Sequence, residues 1–179
     1  MGLVVGEEGL GPGHAQDLAA HGALLLSRRF YEAFARYDFV LIYHLDALVF
    51  SDQLASWCAA GYDYIGAPWL VSPDTPHIFT EKVGNGGFSL RSRKFHEAVL
   101  KLKVAPSVYS ILPEDTLLCR TYKREMEELG IQYAPVGLAM QFSMELPFED
   151  ERDVWIGCSF GFHGRFLCHH YGYTYDDLI

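Results

Sequence analysis

Four short segments carry residue types able to do chemistry. In the first, Tyr43-His44-Leu45-Asp46-Ala47, one carboxylate stands at the end of an apolar run. An ionised carboxylate is costly to bury without a partner or a cation. Asp46 therefore either binds something or caps the next element together with Ser51 and Asp52. The second segment, Val83-Gly84-Asn85-Gly86-Gly87-Phe88-Ser89, places three glycines in four positions. Interior glycines weaken a strand, and they make sense where the backbone must approach a ligand or take a positive φ. A bulge or a tight corner explains them equally well. No Lys-Ser or Lys-Thr pair follows, so the segment is not a P-loop. The third, Pro113-Glu114-Asp115-Thr116, puts two acids at the start of an expected helix, where the helix dipole favours negative charge. A catalytic role requires one of them to face a cleft as a general base. Only one can readily do so, because neighbours on a helix diverge by about 100°. The fourth, SFGFHGR over 159–165, sets His163 among glycines and aromatics, where an imidazole can reach a phosphate or a metal. His169 and His170 read as surface residues.

The elements that must position these residues follow from periodicity and punctuation. A helix is expected over 24–37, with Leu26, Phe30, Tyr31 and Phe34 near helical spacing. The run FVLIYHL over 39–45 reads as a strand buried on both faces, which puts Asp46 at the strand's carboxyl end, where open α/β sheets bind ligands. A short helix over 52–60 stops at Gly61, and a short strand over 62–66 ends at Pro68. A polar loop fills 70–82, and the glycine segment opens a strand over 83–91. A helix follows over 92–103, then the longest one over 113–129, closed by Gly130. Residues 131–134 read as a strand, and the tail from 148 is aromatic and glycine-rich. Strands alternating with helices predict an α/β fold with a mostly parallel central sheet. Residues 1–23 read as a poorly ordered lead-in, and 24–179 as a single domain.

Composition agrees with a chain of this kind. The 179 residues are 50% hydrophobic and 15% aromatic, enough for one domain with a real core. The net charge of −9 argues against a nucleic-acid partner, which leaves a basic footprint. No apolar run reaches the length of a transmembrane span, and the start lacks the basic end and apolar core of a signal peptide. Cys58, Cys119, Cys158 and Cys168 are widely spaced and form no CxxC pair, the pattern of free thiols in a reducing compartment. A cytoplasmic location is expected.

The order of the four segments carries a resemblance. FYEAFARYDFVLIYHLDALVF over 30–50, LASWCAAGYDYIGAPW over 54–69, VGNGGFSLRSRKF over 83–95, PEDTLLCRTYKREMEELGIQYAPVGLAMQFSME over 113–145 and FGFHG over 160–164 closely resemble a family of uncharacterised proteins grouped with the GT-A glycosyltransferases. The resemblance spans about Leu24 to Arg165. It implies a GT-A-like, Rossmann-like mixed sheet, mostly parallel and flanked by helices, without the N-terminal strands that would hold the nucleoside. The chain is expected to be either a truncated product or a shortened relative.

The implied activity is transfer of a sugar from a nucleotide sugar to an acceptor hydroxyl, with inversion. Asp46 resembles the first acid of the family's DxD-type motif, with Leu48 where the second would stand. Asp46 and His163 would contact a divalent cation, Mn²⁺ or Mg²⁺, on the donor diphosphate. Asp115, or less favourably Glu114, would be the catalytic base. Asn85, Gly86, Gly87 and Trp69 would bind substrate. The partners would be a nucleotide-sugar donor and a carbohydrate or other hydroxyl acceptor. The alternatives are a catalytically inactive carbohydrate or nucleotide-sugar binding module on the same fold, and an interaction domain using an apolar patch in the tail, 155–175.

Overall fold

The computed structural model describes residues 14–69, 83–104, 108, 112–145 and 159–164, with side chains from Ala20 onward. The loop expected over 70–82, the aromatic tail apart from 159–164, His169 and His170 lie outside the described residues. Two helices lead in, α1 (His14–Leu25) and α2 (Arg28–Phe34). The helix expected over 24–37 is thus broken at Ser27, whose hydroxyl accepts from the Phe30 amide at 3.2 Å and caps α2. Helix α1 also runs through the boundary expected at residue 24.

Strand β1 (Phe39–Tyr43) leads to β2 (Ala47–Val49), α3 (Leu54–Cys58) and β3 (Tyr64–Gly66). Then come β4 (Phe88–Ser92) and α4 (Arg93–Lys101), whose cap is Ser92. The long helix expected over 113–129 is three pieces: α5 (Glu114–Thr116), a π-helical turn (Leu117–Thr121) and α6 (Lys123–Glu128). Helix α7 (Val136–Phe142), β5 (Ser143–Met144) and β6 (Gly161–His163) complete the described elements. Gly61 and Gly130 both sit at φ 84° just past helix ends, where the sequence placed stops.

The strands form two small sheets in a mixed α/β arrangement, and the expectation of a mostly parallel sheet is corrected. In the first sheet, ordered β1-β4-β3, both pairings are antiparallel, with Tyr43 opposite Phe88 and Ile65 opposite Leu90. In the second, ordered β2-β6-β5, β2 runs antiparallel to β6 and only β5 is parallel to it. An apolar run reports burial on both faces, not direction. That burial is present: Val40 and Ile42 join one core cluster with Tyr64, Phe95 and Leu117, while Leu41 joins another with Trp57, Phe88, Phe142 and Phe160. The strand expected over 131–134 is reduced to a parallel bridge between Tyr133 and Tyr64, with the Ala134 amide donating to the Tyr64 carbonyl at 3.0 Å. Among the described residues, no helix is long and apolar enough to cross a membrane. Cys58 and Cys119 are free thiols, and Cys158 and Cys168 lie outside the described residues.

Candidate functional site

The end of β1 and the start of β2 flank His44 and Asp46. The second sheet brings His163 to them, because Ala47 pairs with His163 across β2 and β6 and the Gly164 amide donates to the Asp46 carbonyl at 3.0 Å. His163 Nε2 lies 3.3 Å from Asp46 Oδ1, and its Nδ1 lies 3.9 Å from Glu145 Oε1. The His44 ring sits edge-on to His163, with centroids 5.1 Å apart, and to His21 of α1, with centroids 5.2 Å apart. One donor atom each from His44, Asp46 and His163 falls within 4.8 Å of the others, so this group can hold a metal ion. Among the described residues, buried His44 Nε2 and His163 Nδ1 have no hydrogen-bond partner. Two imidazoles and one carboxylate form a donor set suited to a first-row transition ion, more nitrogen-rich than Mg²⁺ prefers.

The charges respond to this crowding. Burial, then the neighbouring His163 and His21, push the His44 imidazole down to about 4. Burial also opposes the charged forms of His163 and Asp46, but their mutual hydrogen bond and attraction outweigh it, raising His163 and lowering Asp46. Glu145 is raised by burial, partly offset by His163 and the Asn85 side chain.

The glycine segment separates this cluster from the acid pair. The His44 amide donates to the Gly87 carbonyl at 2.9 Å, extending the β1–β4 ladder to the site. A side chain at Gly87 would fall on the His163 imidazole. A Cβ at Gly86 would lie 2.9 Å from Asp115 Cβ and 3.1 Å from Glu114 Oε1. These two glycines are therefore required by close approach of the protein's own side chains, and both are buried. Asn85, 5% exposed, accepts from the Gly87 amide at 3.2 Å through its side-chain oxygen. Buried Trp69 packs near Gly84, where a Cβ would meet its ring at 2.5 Å.

The two acids diverge as helical neighbours must. Glu114, 5% exposed, is committed to the fully buried Arg91, whose Nη2 donates to its Oε1 at 2.6 Å. Burial raises its carboxyl, but Arg91, then His21 and His44, hold it below the ordinary range. Asp115 accepts from the Gly86 amide at 2.9 Å and from the Thr116 amide at 2.6 Å. Burial and the neighbouring Glu114 charge push it up to about 7, the range of a working general base.

Of the residues singled out from sequence, the structure brings together Asp46, His163, Asn85, Gly86, Gly87, Glu114 and Asp115, with Trp69 behind the glycine segment. Sequence reasoning missed His44 as a donor, and the His-x-Asp spacing was the available signal. It also missed His21, in what read as lead-in, and Arg91, whose cue was a lone arginine in an apolar strand.

Fold and site define a mixed α/β protein with a His–Asp–His donor group and a buried acid pair on either side of a glycine-rich strand entry. The chain belongs to the family described as a protein of unknown function (DUF5672), whose model matches residues 12–163. No curated protein matches it.

Proposed function

We propose that the chain is a metal-dependent glycosyltransferase that moves a sugar from a nucleotide sugar to an acceptor hydroxyl with inversion. One observation carries this reading: a carboxyl held near neutrality, Asp115, shares the Gly86–Gly87 segment with a donor group fit for a divalent cation. The ordered motifs that resemble GT-A enzymes support it. His44, Asp46 and His163 would hold the cation, with Mn²⁺ favoured over Mg²⁺ by the two imidazoles. When bound, the cation would offset charge on the leaving diphosphate. His44 supplies the donor that Leu48 does not, from two residues upstream of Asp46 instead of two downstream. Asp115 would take the acceptor proton, and its raised pKa lets it both accept and release one near neutral pH. Glu114 would serve Asp115 through charge and placement. Asn85, Gly86, Gly87 and Trp69 would line the donor and acceptor positions.

A panel of nucleotide sugars incubated with Mn²⁺ and simple glycoside acceptors tests the reading, with product anomers assigned by NMR. Asp115→Asn is expected to cost ~10²–10⁴-fold in turnover while the fold persists. Unchanged turnover in that variant, or a product retaining the donor's anomeric configuration, would overturn it.

A second reading has its own observation. Both Asp115 oxygens accept backbone amides, which is also how a purely structural cap behaves. On this reading the chain is a nucleotide-sugar binding module without turnover. Calorimetric binding of a nucleotide sugar with no release of nucleoside diphosphate would favour it.

A further inference from the structure

We propose that Arg91, acting with Ser89 and Glu114, is a positioning residue that fixes the Gly86–Gly87 peptides in the register required by both Asp115 and the His44–Asp46–His163 group. Calling these two groups base and cation site rests on the function proposed above, but the linkage between them does not.

A guanidinium that is 1% exposed on a central strand is costly unless paired and hydrogen-bonded. Arg91 uses Nη2 and Nε along a closed route, while its buried Nη1 has no hydrogen-bond partner among the described residues. Nη2 reaches Glu114 at 2.6 Å, and Nε donates to Ser89 Oγ at 3.0 Å. That hydroxyl, having accepted once, donates to the Gly86 carbonyl at 2.9 Å. The Gly86 amide then donates to Asp115, the residue covalently next to Glu114. The route thus leaves the acid pair, passes through Arg91 and Ser89, and returns to the acid pair through the carbonyl and the amide of one residue, Gly86, which belong to two successive peptides. The next residue is Gly87. Its carbonyl accepts from the His44 amide, and no space separates it from the His163 ring. Displacing Gly86 therefore moves the acid pair and the two imidazoles together.

A pair serving the core alone would have no need of the Ser89 bridge, and an apolar replacement of such a pair is often as stable. The bridge is therefore the feature to perturb. The experiment uses the full chain and follows backbone amide exchange by NMR and Mn²⁺ binding by electron spin resonance.

In Ser89→Ala the Gly86 carbonyl and Arg91 Nε lose their shared partner. Exchange at the Gly86 and His44 amides should quicken by about tenfold. Amides of β3 should not change. The Mn²⁺ dissociation constant should rise by about tenfold, the scale of lost outer support for metal ligands. A folded Ser89→Ala protein with unchanged exchange at Gly86 and His44 would overturn the proposal.

If Ser89→Ala does not fold, the unmodified protein decides. Saturating Zn²⁺, which suits the same donors and, unlike paramagnetic Mn²⁺, leaves nearby amide signals visible, should slow exchange at the Gly86 amide, and the linkage is refuted if it does not. Should the unmodified protein bind no Mn²⁺, the cation part of the proposed function fails, and Gly86 and His44 exchange in Ser89→Ala still tests the linkage. If exchange and Mn²⁺ binding respond as expected but no nucleotide sugar turns over, the linkage stands and the glycosyltransferase reading fails.

Discussion

Glu114→Gln isolates the charge of the buried acid while keeping an oxygen for Arg91. Arg91 is 1% exposed and Glu114 5%, so neither charge has water to fall back on. Removing one partner of such a pair typically costs about 3–5 kcal/mol, and the retained amide oxygen places this variant near ~3 kcal/mol. For a chain of 179 residues that corresponds to a Tm lower by roughly 6–12 °C. A helix-dipole contribution, the role two acids at a helix start suggest from sequence, would be worth only about 0.3–1 kcal/mol.

The pH dependence of that loss follows from the signs. Glu114 is held below its ordinary range, so it contributes stability above that range and loses it as pH falls through the folded value. Asp115 is raised to about 7, so it favours folding below its ordinary pKa of about 4, and that contribution disappears as pH rises through about 7. In Glu114→Gln the first contribution vanishes. The second shrinks, because the Glu114 charge is the largest cause of the Asp115 shift after burial. Urea unfolding from pH 4 to 8 should therefore show a shallower decline in the variant, and a carbon-13 titration of the Asp115 carboxyl should move to lower pH. A stability change under about 1 kcal/mol, or an unmoved Asp115 midpoint, would show that the Glu114 charge neither holds Arg91 nor raises Asp115.

Gly87→Ala should displace the His163 ring and weaken Mn²⁺ binding by about 10–100-fold, measured by spin resonance. His44→Gln should lower Mn²⁺ affinity more than Mg²⁺ affinity, and competition titrations would reveal equal losses if His44 were no ligand. Mn²⁺ should bind weakly alone and more tightly with a nucleoside diphosphate, since three protein donors leave positions for phosphate oxygens. Calorimetry with and without the nucleotide measures this, and equal affinities would count against it.

Much of the candidate site's clustering was legible because its residue types stand out locally. Asp46 after an apolar run, the glycine segment, the acid pair and His163 each stand out by residue type, and all converge in space. What brings them together was not legible. The pairing of Ala47 with His163 joins distant segments through a strand of three residues, too short for any alternation to register. Antiparallel pairing around β4 leaves no trace in hydrophobicity, so the elements were visible while their directions were not. His21 lies in a helix without an apolar stripe beside glycine-rich sequence, and it reaches His44 only through the packing of α1. The opposite roles of Glu114 and Asp115 depend on Arg91, and no local rule pairs an arginine in one strand with an acid beyond the next helix.

The π-helical turn after the acid pair has a consequence for how this chain tolerates changes in length. The Tyr122 amide donates to the Leu117 carbonyl at 2.8 Å, five residues back, so the helix carries a surplus residue between Asp115 and α6. Deleting a single residue within 117–121 would let that turn relax to ordinary α geometry. The helix would survive, and because the turn already absorbs the surplus residue the acid pair would stay nearly in phase with α6, whereas a deletion within α6 itself would turn it by about 100°. Asp115 would then keep the Gly86 amide when the loss falls within the turn and leave it when the loss falls in α6. The turn therefore acts as a buffer of phase, and a relative one residue shorter at this turn would keep its Glu-Asp pair aimed as it is here.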